Sequence, residues 1–212
     1  MRPSAAEVWP VVHAERDRLA DDLADLTAEQ WRTPSLCAGW DVHDVLAHLV
    51  HTARTTRLSF ARDMVMARGS FDRVNDRGIT RQQSAEPRDT LASLRAASDL
   101  TRTPPANLAT RLVEAIVHGE DIRRPLGIHG AYPHPATIAA LGYQVRTPVS
   151  FGGGRERVSG LRLVEASSGT SWGDGPEVVG PALDLLLAVS GRPVAAARLT
   201  GDGAPRLLGG VA

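Results

Sequence analysis

Asp41-Val-His-Asp-Val-Leu-Ala-His48-Leu-Val50 and Val113-Glu114-Ala-Ile-Val-His118-Gly-Glu-Asp-Ile-Arg-Arg-Pro125 are the stretches on which the fold turns. In the first, Asp41 suits a helix N-cap, and Asp44 lies in the first turn near the positive end of the dipole. Val42, Val45, Leu46, Leu49, Val50 and Ala53 then recur at helical spacing. In the second, Leu108, Ala109, Leu112, Val113, Ile116 and Val117 do the same. Glu114 and His118 are four apart and share one helix face. At ~100° per residue, His48 lies roughly 130° from the middle of its apolar stripe, and Glu114 and His118 roughly 150° or more from theirs. The three therefore face either a cleft between helices or solvent. Two imidazoles and a carboxylate form a three-ligand set for zinc, with the fourth position left to water or substrate. The same set, with more open positions, suits non-haem Fe(II).

Working outward, residues 5–26 carry Val8, Val12, Leu19, Leu23 and Leu26, a helical stripe interrupted by Glu15. Thr27 and Gln30 have capping-box spacing, and residues 33–39 read as loop. The helix of His48 is expected to run from about Val42 to Ala67. Residues 69–83 are polar and irregular, either a lid or a solvated connection. Pro87 opens a third helix bearing Leu91, Leu94 and Leu100, and Pro104-Pro105 separates it from the helix of Glu114 and His118. Four such helices predict a mainly α protein, an antiparallel four-helix bundle over residues 1–129. Beyond it, Pro133 and Pro135 precede a helix with Ile138, Leu141 and Val145. Gly152, Gly153 and Gly154 suggest a flexible connection, and no Lys-Ser/Thr follows to make a P-loop. Leu161 to Val164 alternates like a strand, 170–175 reads as a hairpin turn, and Pro181 opens a helix closed by Gly191. Residues 195–200 form a second candidate strand. This describes a small α+β C-terminal domain over 130–212.

Composition excludes several functions. The chain has 212 residues and zero formal net charge, so a nucleic-acid or anionic-membrane footprint is not expected. All 24 basic residues are arginine, which removes any Schiff-base lysine. The one cysteine, Cys37, allows no intramolecular disulfide and is expected to act as a small buried hydrophobe. No signal-like segment opens the chain, and the longest apolar run, Leu185 to Val189, is too short for a bilayer. A cytoplasmic protein, monomer or homodimer, is the expectation.

Trp31-Arg-Thr-Pro-Ser-Leu-Cys-Ala-Gly-Trp40-Asp-Val-His-Asp-Val-Leu-Ala-His48-Leu49 resembles the actinobacterial mycothiol-dependent maleylpyruvate isomerase family, within the DinB-like superfamily. So does His118-Gly-Glu-Asp-Ile-Arg-Arg-Pro125, and the tail from Gly173 to Arg192 is similar to that family's second domain. The resemblance implies a DinB-like bundle with a divalent metal, zinc above all, held by His48, Glu114 and His118. It implies mycothiol as thiol cosubstrate, an electrophilic small-molecule substrate, and an isomerase or S-transferase reaction in which a metal-activated thiolate is the nucleophile. It also implies a second-domain arginine for a substrate carboxylate, and Arg192 is the candidate, with a surface arginine at a helix end as the plainer reading. Arg123 and Arg124 are lesser anion-binding candidates. Asp121, three after His118, either orients that histidine or makes a surface ion pair. His43 and His51 are expected at the surface. A metal hydrolase using bound water and a non-enzymatic binder are the alternatives.

Overall fold

The computed structural model describes residues 3–209. It forms two compact units, Met1–Ala131 and Tyr132–Ala212. The first is all helical: α1 (Ala5–Asp22), α2 (Ala28–Trp31), α3 (Val42–Arg54), α4 (Arg57–Met66), α5 (Phe71–Gln82), α6 (Pro87–Arg95) and α7 (Ala109–Arg123). The second contains α8 (His134–Gln144), β1 (Arg162–Glu165), β2 (Ser171–Trp172), β3 (Glu177–Gly180), α9 (Ala182–Val189) and α10 (Ala204–Gly209).

In the first unit α3 is central, packing against α5, α6 and α7, while α1 packs against α6 and α7. Leu19, Leu23, Val45, Leu46, Leu94 and Ile122 meet in a continuous core. Burying each such leucine or isoleucine contributes about 1.5–3 kcal/mol. The start of α3 is set as its sequence suggests: the Asp41 side chain accepts from Asp44 N at 2.9 Å, and Asp44 accepts from Asp41 N at 3.0 Å. Thr27 and Gln30 make the same reciprocal pair at α2.

Three features of this unit differ from the sequence reading. The helix of His48 does not continue to Ala67 but ends at Arg54. Thr55 has extended backbone, and Thr56 starts α4 by accepting from Ser59 N at 3.1 Å. Residues 69–83 are not an irregular lid, because Ser70 caps a full helix, α5, whose buried face is Val74, Gly78 and Ile79. Gly78 belongs there because a Cβ would lie 2.3 Å from Cδ2 of His51. His43 and His51 are not at the surface, since neighbours surround α3 on nearly every side. Both are buried, and His43 Nε2 lies 2.9 Å from Thr90 Oγ1.

In the second unit a three-stranded mixed sheet has the order β2-β1-β3. β1 pairs antiparallel with β2, Leu163 facing Trp172, and parallel with β3, Leu163 facing Val178. The 170–175 segment contains strand β2, so the reversal falls earlier, at 166–170, where Glu165 accepts from the backbone N–H groups of Ser167 and Ser168. Residues 195–200 are a 3₁₀ turn with one bridge, Thr200 to Val179, rather than a strand. The triple glycine is a packed corner, not a loose connection: a Cβ on Gly153 would lie 2.0 Å from Thr147 O, and one on Gly154 2.1 Å from Val189 O. Among the described residues, no helix is long and apolar enough to cross a membrane.

Candidate metal centre

α3 and α7 bring His48, Glu114 and His118 to one point in the first unit, each offering a ligand atom within 4.8 Å of the others. The faces that carry them look into a cleft between helices rather than into solvent: His48 is 3% exposed, and the Glu114 and His118 side chains are 19% and 15% exposed. Glu114 Oε2 is the vertex, 3.3 Å from His48 Nε2 and 3.7 Å from His118 Nε2. It is buried and has no hydrogen-bond partner. A buried carboxylate oxygen without a donor calls for an explanation, and a cation supplies one. Donor atoms at roughly 2.0–2.2 Å from one tetrahedral ion lie roughly 3.3–3.6 Å apart, close to the spacing here. The donor set and the orphaned oxygen thus fit a divalent metal.

The surroundings orient these groups unequally. His118 Nδ1 lies 2.9 Å from Oδ2 of Asp121, whose side chain is fully buried. That contact fixes the tautomer and turns Nε2 toward Glu114. Cys37 Sγ donates to the same Asp121 oxygen at 3.3 Å and lies 3.9 Å from His118 Nδ1. Cys37 is therefore half-buried and part of the polar network, not simply a small hydrophobe. Its loop is held by Ser35 N donating to Trp40 O at 2.9 Å and by Leu36 N donating to Asp121 O at 3.2 Å, with Gly39 at φ +82° making the turn. The loop also carries Trp40, whose ring centroid is 5.1 Å from that of His48. His48 Nδ1, by contrast, is buried with no partner.

Electrostatics follow this arrangement. Burial alone would raise the Glu114 carboxyl, but His48, His118 and the Arg111 guanidinium hold it well below the usual carboxylate range. Burial pushes His48 down, so it stays neutral. Burial also disfavours charge on His118, yet Asp121, Cys37 and Glu114 outweigh it and raise it to about 10. His51, three residues beyond His48, is lowered to about 4 by burial and by His48.

The remaining candidates separate cleanly. Arg123 is fully buried and ion-paired with Glu15 and Asp22, and Arg124 pairs with Glu120 at 2.8 Å. Both therefore have structural partners, which removes them as anion-binding candidates. Arg192 follows α9 in the second unit, where its Nη1 donates to Ser190 O at 2.8 Å. Sequence reasoning missed Arg111 and Trp40. Arg111 lies three before Glu114 on α7, so helical spacing alone could have found it.

Residues 12–106 match the family model described as the mycothiol maleylpyruvate isomerase N-terminal domain. This part of the chain is similar to that N-terminal domain. The domain's matched span includes Cys37, Trp40 and His48 and stops before Glu114 and His118. Over the longer chain, two uncharacterized proteins from two strains of Mycobacterium tuberculosis are each 28% identical over 214 residues, covering 85% of this chain and 83% of theirs. Crystal structures of the mycothiol-dependent maleylpyruvate isomerase and of a single-residue mutant of it share the fold, with TM-score 0.63 for each. Each covers 95% of this chain and 94% of its own, at 16% and 15% identity respectively.

Proposed function

We propose that this protein is a metal-dependent enzyme of the mycothiol-using kind, an isomerase or S-transferase acting on a small electrophile. The observation that carries the reading is Glu114 Oε2, buried without a donor between two imidazole nitrogens. His48 Nε2, Glu114 Oε2 and His118 Nε2 would hold the metal, zinc by the donor set. A metal bound there supplies the thiolate of a low-molecular-weight thiol at neutral pH, the nucleophile for addition to an activated double bond. Asp121 keeps the His118 proton on Nδ1, leaving Nε2 available as a ligand. Cys37 sits on the Nδ1 side of His118, away from the three ligand atoms. The chain has no other cysteine, so the thiol must come from outside. Trp40 packs beside His48, with its ring centroid 5.1 Å from the imidazole. Arg192 is the candidate for holding a substrate carboxylate, by the resemblance of its segment to the family's second domain.

The test is turnover of maleylpyruvate and a panel of related electrophiles by zinc-loaded protein, with and without mycothiol. The expected result is turnover that needs both metal and thiol. Turnover without thiol would contradict the proposal and favour a hydrolase using metal-bound water.

A further inference from the structure

We propose that Arg111 is the positioning residue for Glu114, holding Oε1 so that the carboxylate meets a metal through Oε2 alone. This rests on the metal centre proposed above. Arg111 is 4% exposed and lies one turn before Glu114 on the same face of α7. Its Nη1 donates to the backbone carbonyl of Thr52 on α3 at 3.2 Å, which fixes the guanidinium between the two helices. Nη2 then lies 3.9 Å from Glu114 Oε1. The other oxygen, Oε2, is the one facing His48 and His118. The two carboxylate oxygens are thus divided, one toward a rigid planar cation and one toward the imidazoles. A carboxylate with both oxygens open to a divalent ion can chelate it and occupy an extra position. Drawing Oε1 away keeps that position open for a thiol or water. α7 thereby supplies an outer partner for each of its two inward groups: Arg111, three before Glu114, and Asp121, three after His118.

The test uses the full chain loaded with Co(II), whose visible absorption distinguishes four-coordinate from five-coordinate sites, together with a zinc competition titration. Wild type should give a four-coordinate spectrum. Arg111→Met should fold, bind zinc about 10- to 100-fold more weakly, as for loss of other outer-shell partners, and lose the four-coordinate intensity as Glu114 becomes bidentate. A folded Arg111→Met that retains the four-coordinate spectrum overturns the proposal, whatever its affinity, because a merely structural arginine would leave coordination unchanged. If Arg111→Met does not fold, Arg111→Lys decides. The single nitrogen of an ammonium cannot occupy both the Nη1 and the Nη2 position, so weakened zinc with an altered spectrum supports the proposal and a wild-type spectrum overturns it. Unfolding of both variants also overturns it, assigning the arginine to holding α3 and α7 together. Failure of wild type itself to bind either metal would instead remove the metal reading.

Discussion

Metal binding at this site should expel one proton, and it should come from His118. In the metal-free protein His118 is raised well above neutrality, to about 10, against the opposing effect of burial, through Asp121, Cys37 and Glu114. At pH 7.5 its ring is therefore protonated. His48 is neutral because burial lowers it, and Glu114 is ionised, so neither has a proton to give. A ligand must be deprotonated to bind, so apparent zinc affinity should rise about tenfold, or about 1.36 kcal/mol, per pH unit between pH 6.5 and 9. Asp121→Asn removes the charge that holds the proton on His118. The variant should release about one proton fewer per metal and show a flatter pH dependence. Zinc-bound water contributes its own fraction of a proton to both proteins, so the difference between them is the diagnostic quantity. Calorimetry in two buffers of different ionisation enthalpy measures it directly. Equal proton release by wild type and Asp121→Asn would refute the argument.

Glu114→Ala and His118→Ala should each remove most bound metal while leaving helical circular dichroism unchanged, because neither side chain lies in the apolar core; metal analysis and circular dichroism check this. Gly78→Ala should lower thermal stability by about 1–3 kcal/mol, although helix propensity alone favours alanine by about 1 kcal/mol. The reason is the buried His51 ring 2.3 Å from the added Cβ, and a rise in melting temperature would show that the ring simply moves. In the second unit Glu165 is lowered to about 2 because hydrogen bonds from Ser168 and Ser167 outweigh burial, which alone would raise it. Its contribution to stability should be fully present above the unfolded value of about 4.5 and fade as pH falls toward 2. Glu165→Gln should lose that acid-dependent part in pH-resolved denaturant melts.

The sequence carried what local chemistry specifies. The caps at Asp41 and Thr27, the Pro87 start of α6 and the i, i+4 spacing of Glu114 and His118 are short-range features, and each appears in the structure. What long-range packing decides was hidden. The angle of His48 from its apolar stripe did not separate cleft from solvent, because that depends on where α7 lies. His43 and His51 point away from His48 on the helix and so read as surface residues, whereas α3 is enclosed by α5, α6 and α7. α5 went unseen because its sequence is polar and its buried glycine looks like a breaker until the His51 ring is known to rest on it. β3 is only Glu177-Val-Val-Gly180, too short for periodicity to register without its partner β1. Cys37 and Asp121 lie 84 residues apart, and nothing local links a loop thiol to a helix carboxylate.

The most direct measurement of the central claim is a titration of mycothiol into the Co(II)-loaded protein at neutral pH, followed in the near ultraviolet. The expected result is a thiolate-to-metal charge-transfer band that saturates at one thiol per metal, is absent without the metal, and is lost in the His118→Ala and Glu114→Ala variants. A loaded metal that gives no such band with excess thiol would contradict that claim.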